Sequence, residues 1–82
     1  MNAAETVRQV AAEQLEIAAA RLAGANTLRE AGIDSLAAID LIVAIERRLD
    51  ISFRERDLES LRSFDDLAAA VERLLAEQRA GS

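Results

Sequence analysis

The stretch GIDSLAAIDLIVAIE, residues 32–46, predicts a helix that is apolar on two opposite sides. A helix on the surface of a small bundle needs only one apolar stripe, which faces the core. When successive residues are rotated by about 100°, one sector of this helix forms a natural core face, and the far sector is also apolar. The core sector contains Ala38, Leu41, Ile42, Ile45 and Leu49, and the far sector contains Leu36, Ile39 and Val43.

The far sector has two interpretations. Either the helix is central and buried on both sides, or it presents this sector to partner proteins. We favour the second interpretation because charged residues interrupt the sector. Apolar contacts would then give affinity, and the flanking charges would orient the partner. The interrupting residues are Asp40, Glu46, Arg47 and Asp50.

The chain length of 82 residues corresponds to one small domain, residues 1–82. Fifteen acidic against ten basic residues give a net charge of −5, which disfavours nucleic acid as a partner. Charged Glu5 and Arg8 stand where a signal peptide would be apolar, and no segment reaches the roughly 18 apolar residues of a membrane span. We therefore expect a cytoplasmic monomer without a membrane span.

The composition also limits the chemistry. The sequence has no His, Cys, Tyr or Trp, so a Ser-His or Cys-His nucleophile pair and the usual zinc sites are excluded. The three glycines do not form a phosphate-binding loop, and no spacing of acidic residues resembles a calcium-binding loop. We expect neither a metal site nor catalytic activity from the chain alone.

The hydrophobic periodicity predicts an all-α protein, a small four-helix bundle with three longer helices and a short third helix. The predicted helices cover roughly residues 6–15, residues 35 to about 49, a short segment near 55–61, and a segment that begins at SFDD. A long first loop, roughly residues 16–34, has no clean apolar stripe, although its alanine-rich part has room for a helical turn.

The fourth predicted helix has a recognisable start. Ser63 is a good N-cap residue, and Asp65 and Asp66 lie favourably near the positive end of the helix. We expect the tail EQRAGS, residues 77–82, to fray. The predicted buried stripe of this helix consists of Phe64, Leu67, Val71, Leu74 and Leu75.

Ser35 stands at the start of the second predicted helix, and its role has two interpretations. The hydroxyl can cap the helix together with Asp34. It can also carry a phosphate ester, since a helix start offers free N–H groups and partial positive charge. The chain contains no base to activate Ser35, so another enzyme would have to perform such a modification. Position alone leaves both interpretations open.

The segment LREAGIDSLAAIDLIVAIERRLDISF, residues 28–53, resembles the signature of acyl carrier proteins and their polyketide and peptidyl relatives. The shared features are a Gly-x-Asp-Ser-Leu stretch, an amphipathic second helix and an apolar-x-apolar exit, here Ile51-Ser52-Phe53. The resemblance extends upstream through VRQVAAEQLEI and downstream through SFDDLAAAVERLL. It therefore covers nearly the whole chain and implies a discrete (type II) acyl-carrier-like domain.

The resemblance implies that Ser35 carries 4′-phosphopantetheine, which a phosphopantetheinyl transferase installs from coenzyme A. The terminal thiol of that arm holds acyl groups as thioesters, which accounts for the absence of Cys. Members of the family dock their loading and condensing enzymes through the second helix, and the residue before the serine takes part in the metal-assisted transfer. The recognition residues implied for partners and transferase are Asp34, Leu36, Ile39, Asp40, Val43, Glu46, Arg47, Phe53 and Arg56.

Several positions depart from the family pattern. Arg47 and Arg48 stand where carriers of housekeeping fatty-acid synthesis tend to have acids, and Arg54 stands where Pro is frequent. Arg56 adds another basic residue nearby, and Ala31 stands where a Leu usually precedes the Gly. These departures point to a specialised carrier for a polyketide, a modified lipid or a lipopeptide tail. Two alternatives remain open, namely a carrier of aminoacyl or peptidyl thioesters and an unmodified helical adaptor.

Overall fold

The computed structural model describes residues 2–81, which form five α-helices and no strand. The all-α class is confirmed, and the long first connection contains one additional five-residue helix. The helix that includes Ser35 has the predicted bounds. The helices are α1 (Ala3–Leu15), α2 (Ala19–Ala23), α3 (Ser35–Leu49), α4 (Glu55–Glu59) and α5 (Phe64–Gly81).

Three helix ends differ from the prediction, and one of them is the end of α4, which lies at Glu59 and not near residue 61. Helix α1 begins at Ala3 because the Asn2 side chain caps it, accepting a 2.9 Å hydrogen bond from the backbone N–H of Ala4. The expectation of a frayed tail is wrong for residues 77–81, which continue α5. Glu77 forms an ion pair with Arg54, and the Gln78 amide donates a 2.7 Å hydrogen bond to the carbonyl of Asp50. Ser82 lies outside the described residues.

Helix α1 packs against α3, α5 and α2, so it holds the bundle together. Near the start of α1, Ala3 lines a groove together with Leu49 at the end of α3 and Arg79 near the end of α5. In α3, Leu41 and Ile45 are completely buried, as predicted, and the rest of the predicted core face is half-buried. The largest fully buried side chains are Phe64, Leu22, Leu41, Ile45, Leu67, Val7 and Val71.

The long first connection is fastened to the start of α5. The backbone N–H of Phe64 donates to the carbonyl of Asn26 at 3.0 Å, and that of Leu28 donates to the carbonyl of Arg62 at 3.1 Å. The Glu30 carboxylate accepts a 2.9 Å bond from the Thr27 N–H, and the Thr27 hydroxyl accepts from the Glu30 N–H at 3.1 Å. The bond from Thr27 also lowers the pKa of Glu30. These local and long-range bonds hold the segment that leads to Ser35.

The predicted cap of α5 is confirmed. The Ser63 hydroxyl accepts a 3.0 Å hydrogen bond from the backbone N–H of Asp66, and the Asp66 carboxylate accepts in return from the N–H groups of Ser63 and Arg62, both at 3.1 Å. Hydrogen bonds from these two backbone N–H groups hold the pKa of Asp66 below its ordinary value. The start of α5 is therefore fixed by the same type of reciprocal bond that fixes the turn at Thr27.

The corner between α4 and α5 contains the one buried carboxylate among residues 2–81, that of Asp57. Its oxygens accept a 2.9 Å hydrogen bond from the backbone N–H of Arg54 and an ion-paired bond from the Arg73 guanidinium. The hydrogen bond from Arg54, with help from Arg73, lowers the pKa of Asp57 despite its burial. Glu77 joins this network through Arg54 at 2.8 Å and Arg73 at 3.8 Å.

Candidate functional site

Helix α3 begins at Ser35, but the residue that caps it is Asp34. The Asp34 carboxylate accepts a 2.8 Å hydrogen bond from the backbone N–H of Ala37. The Ser35 side chain is exposed, and its hydroxyl makes no hydrogen bond with any residue that the structure describes. Because Asp34 provides the side-chain cap, the hydroxyl of Ser35 is not needed for it and is free to react.

The turn before α3 depends on Gly32, whose φ of +81° lies in the left-handed region that disfavours residues with a Cβ. Its backbone N–H donates to the carbonyl of Arg29 at 2.9 Å, and the N–H of Ile33 donates to the carbonyl of Leu28 at the same distance. The Ile33 side chain is buried and anchors the chain to the core. This anchor leaves the next two residues at the surface.

The surroundings of Ser35 suit a phosphate ester. A shallow depression next to the hydroxyl is lined by Arg29, Gly32, Ile33 and Asp34. The Arg21 guanidinium lies across Gly32, with its Nη2 atom 2.7 Å from the position that a Cβ would occupy there. The start of α3 adds partial positive charge. The exposed hydroxyl, the helix start and Arg29 are groups that fit a phosphodiester, and Arg21 adds positive charge at the preceding turn.

The far apolar sector of α3 is exposed, so the interpretation of a helix buried on both sides is wrong. The exposed fraction is 75 % for Leu36, 58 % for Ile39 and 37 % for Val43. Asp40 and Arg47 flank these residues and are also exposed. We call these five residues the α3 exposed face, which leads away from the hydroxyl of Ser35.

Three other predicted recognition residues lie apart from the α3 exposed face. The Glu46 carboxylate accepts a 2.8 Å hydrogen bond from the backbone N–H of Phe53, and both residues are half-buried. The Phe53 ring packs against the core. Arg56 is exposed on α4. Glu46 and Phe53 therefore fix the exit from α3, a contact that sequence spacing could not reveal because it crosses the loop.

Sequence reasoning did not identify Arg29 as a neighbour of Ser35, or Arg21 as a neighbour of the Gly32 turn that precedes it. The pattern Thr27-x-x-Glu30 is a capping-box sequence, and it could have predicted the turn that carries Arg29. Arg21 has no comparable local signal, since only the tertiary fold brings α2 next to Gly32.

Within residues 2–81, no group of three or more His, Cys, Asp or Glu side chains is arranged to hold a metal ion. No helix in this part of the chain is both long enough and apolar enough to cross a membrane.

Comparison with known proteins agrees with this geometry. The family described as "Phosphopantetheine attachment site" matches residues 5–71. An acyl carrier protein from Akkermansia muciniphila is 31% identical over 71 residues, which cover 85% of this chain and 89% of that protein. One from Campylobacter hominis is 32% identical over 75 residues, covering 90% and 95%. The chain belongs to the acyl carrier protein family. It is a carrier without catalytic activity of its own, and its cofactor is 4′-phosphopantetheine.

Proposed function

We propose that Ser35 is the attachment point of 4′-phosphopantetheine and that the chain delivers acyl groups to biosynthetic enzymes. The supporting observation is that the Ser35 hydroxyl is exposed and unbonded at the start of α3 while Asp34 provides the cap. When attached, the arm supplies a terminal thiol that holds acyl groups as thioesters. The chain itself contributes the hydroxyl, the helix start and the surface that partners recognise.

The attachment is a group transfer at the Ser35 Oγ atom. The hydroxyl loses its proton to a base of the transferase, since this chain provides none, and a new Oγ–P bond replaces a phosphoanhydride bond of coenzyme A. The leaving nucleotide keeps the other phosphate. The Asp34 carboxylate stands next to the reacting hydroxyl and can assist a transferase-bound metal ion, because only one of its oxygens caps α3.

The other described serines suit the role less well. Ser63 caps α5, and the Ser60 hydroxyl donates a 3.2 Å hydrogen bond to the carbonyl of Asp57. Ser52 is exposed but lies in the loop after α3, without a helix start beside it. Ser52 is therefore a suitable control for Ser35.

The α3 exposed face is the proposed docking surface for the transferase and for loading and condensing enzymes. Leu36, Ile39 and Val43 would supply the apolar centre, with Asp40 and Arg47 at the rim. Asp34 at the start of α3 and Arg56 on α4 are proposed as further contacts of the partner enzymes. Glu46 and Phe53 contribute by fixing its far end.

The pathway follows from the charges near this surface. Arg47 and Arg48 are exposed where carriers of housekeeping fatty-acid synthesis tend to have acids, and Arg56 adds another exposed base nearby, so we propose enzymes of polyketide or specialised lipid biosynthesis in preference to general fatty-acid synthesis. We also propose that the carrier works as a monomer in the cytoplasm. Sedimentation and the location of a tagged chain test these two statements.

The decisive experiment is intact-mass analysis after incubation with coenzyme A, a divalent metal ion and a broad-specificity phosphopantetheinyl transferase. The native chain and Ser52→Ala should each gain the mass of one phosphopantetheine, and Ser35→Ala should gain none. Circular dichroism of Ser35→Ala should show unchanged helix content. Modification of Ser35→Ala, or none of the native chain, would overturn the proposal.

A further inference from the structure

The arginines of this chain divide into two groups by their partners. All ten basic residues are arginines, and fifteen acids are available to pair with them. Arg48, Arg54 and Arg73 form ion pairs with carboxylates, and the Arg8 guanidinium binds the carbonyls of helix α2 and the following turn while stacking on the Phe64 ring. The arginines without a side-chain partner among residues 2–81 include Arg21, Arg29, Arg47 and Arg56.

Two of these unpaired arginines lie around the turn that leads to Ser35, Arg29 in the same depression as the hydroxyl and Arg21 against Gly32. Arg29 lines the same depression as Ser35, and its backbone carbonyl is held by the N–H of Gly32 at 2.9 Å. Arg21 approaches from α2, and its guanidinium occupies the space that Gly32 leaves by having no side chain. An excess of acids elsewhere has not drawn either guanidinium into an ion pair. Both charges are therefore available to a ligand at this position.

A phosphodiester on Ser35 has the chemistry that these groups recognise. It carries one negative charge and two free oxygens, which a guanidinium can bind with two parallel hydrogen bonds. We propose that Arg21 and Arg29 bind the phosphodiester of the 4′-phosphopantetheine arm and fix the direction in which the arm leaves the protein. This inference rests on the proposed attachment at Ser35. The backbone N–H groups at the start of α3 add to the same charge.

The contacts should have a measurable salt dependence. Both guanidiniums are on exposed residues, so added salt screens their attraction to the phosphate. In the native chain carrying the arm, raising the salt concentration should move the ³¹P resonance of the phosphodiester. Attachment of the arm should also raise the thermal midpoint at low salt. Neither readout depends on the activity of any partner enzyme.

The test compares three loaded proteins, namely the native chain, Arg21→Gln with Arg29→Gln, and a control with Arg48→Gln and Arg79→Gln. The control removes the same charge far from Ser35, at the other end of α3 and of α5. Each chain is loaded with coenzyme A and the transferase until intact mass shows complete conversion, so a slower transfer does not affect the result. Circular dichroism checks that all three are folded.

We expect the Arg21 and Arg29 double variant to lose most of the salt-dependent ³¹P shift and the gain in thermal midpoint, while the control keeps both. A double variant that behaves like the native chain in both measurements would overturn the arginine contacts and leave the attachment at Ser35 standing. A native chain that gains no mass would overturn the attachment itself, and the contacts with it. Equal losses in the double variant and in the control would show a general charge effect, which also overturns the proposal.

Discussion

The two faces of α3 carry the same residue types, and the fold treats them in opposite ways. Leu41 and Ile45 are 0 % exposed, whereas Leu36 and Ile39 on the far side are 75 % and 58 % exposed. Full burial of such a side chain stabilises a protein by roughly 1.5–3 kcal/mol, so the far face forgoes stability that a small domain could use. Apolar exposure of this kind is typical of surfaces that bind partners.

The buried and exposed faces of α3 also serve different purposes, since one stabilises the fold and the other serves the proposed carrier function. The fold depends on one face of α3, on α1 and α5, and on the bonded corner around Asp57. The proposed function depends on Ser35 and the α3 exposed face, which contribute little to packing. Variants on one side should therefore change stability, and variants on the other should change encounters with partners.

The largest expected effect distinguishes two isoleucines on the same helix. Ile45→Ala should lower the free energy of unfolding by about 2–5 kcal/mol because it opens a cavity in the core. Ile39→Ala should change it by at most about 0.5 kcal/mol, since its side chain already contacts water. Urea denaturation measures both. Similar losses in the two variants would show that the faces are not distinct.

The next effect concerns docking. Val43→Asp should stay folded yet lower the rate of phosphopantetheine loading about tenfold or more, because it places a charge in the apolar centre of the proposed contact. Ile39→Asp should act in the same way. If circular dichroism shows that either variant is unfolded, the α3 exposed face belongs to the core. If both are folded and load at the native rate, the docking surface lies elsewhere.

Arg47→Glu tests the rim of the same surface. Its effect on loading should be smaller than that of Val43→Asp, and it should shrink as salt rises, because an exposed charge steers and orients a partner through a screened field. The matched measurement is the loading rate of both variants at low and high salt. Equal salt dependence for the two would argue against the division into centre and rim.

The sequence predicted α3 well because its determinants are local. The Asp-Ser start and the apolar spacing lie within the helix or next to it, and Ser63 marks the start of α5 for the same reason. The long connection was less predictable. Its hydrogen bonds join Asn26 and Leu28 to residues more than thirty positions away, and no local sequence pattern predicts such bonds.

The candidate site was predictable to a similar extent. Ser35 could be located from its position and the family resemblance, and the exposure of the far sector was favoured because charged residues interrupt it. Only the structure shows that Asp34, and not Ser35, caps α3, because either residue has the chemistry of a cap. Only the structure shows that Arg21 lies against Gly32, since this contact depends on how α2 packs.

Removing the side-chain cap of α3 should have a smaller effect on stability. Asp34→Ala should destabilise the protein by about 1 kcal/mol because it removes the bond to the Ala37 N–H. Ser35→Ala should be nearly neutral, since its hydroxyl makes no bond in the described structure. Thermal unfolding compares the two alanine variants directly. A larger loss for Ser35→Ala would show that its hydroxyl does share the cap.

The smallest expected effect is the response of stability to pH near neutrality. The chain has no His. Hydrogen bonds hold the pKa of four carboxyl groups below its ordinary value, namely those of Glu13, Glu30, Asp57 and Asp66. A lowered carboxylate pKa stabilises the fold above the group's unfolded pKa, near 4, and this stability is lost as pH falls through the lower folded value. Urea midpoints should therefore stay level from pH 8 to pH 5 and fall only below about pH 4.

Arg73→Gln should weaken the acid-dependent fall, because Asp57 loses its ion-pair partner, while Arg47→Gln on the α3 exposed face should leave it unchanged. A transition centred between pH 6 and pH 7 would contradict this account, since the four carboxylates whose pKa is lowered do not titrate in that range.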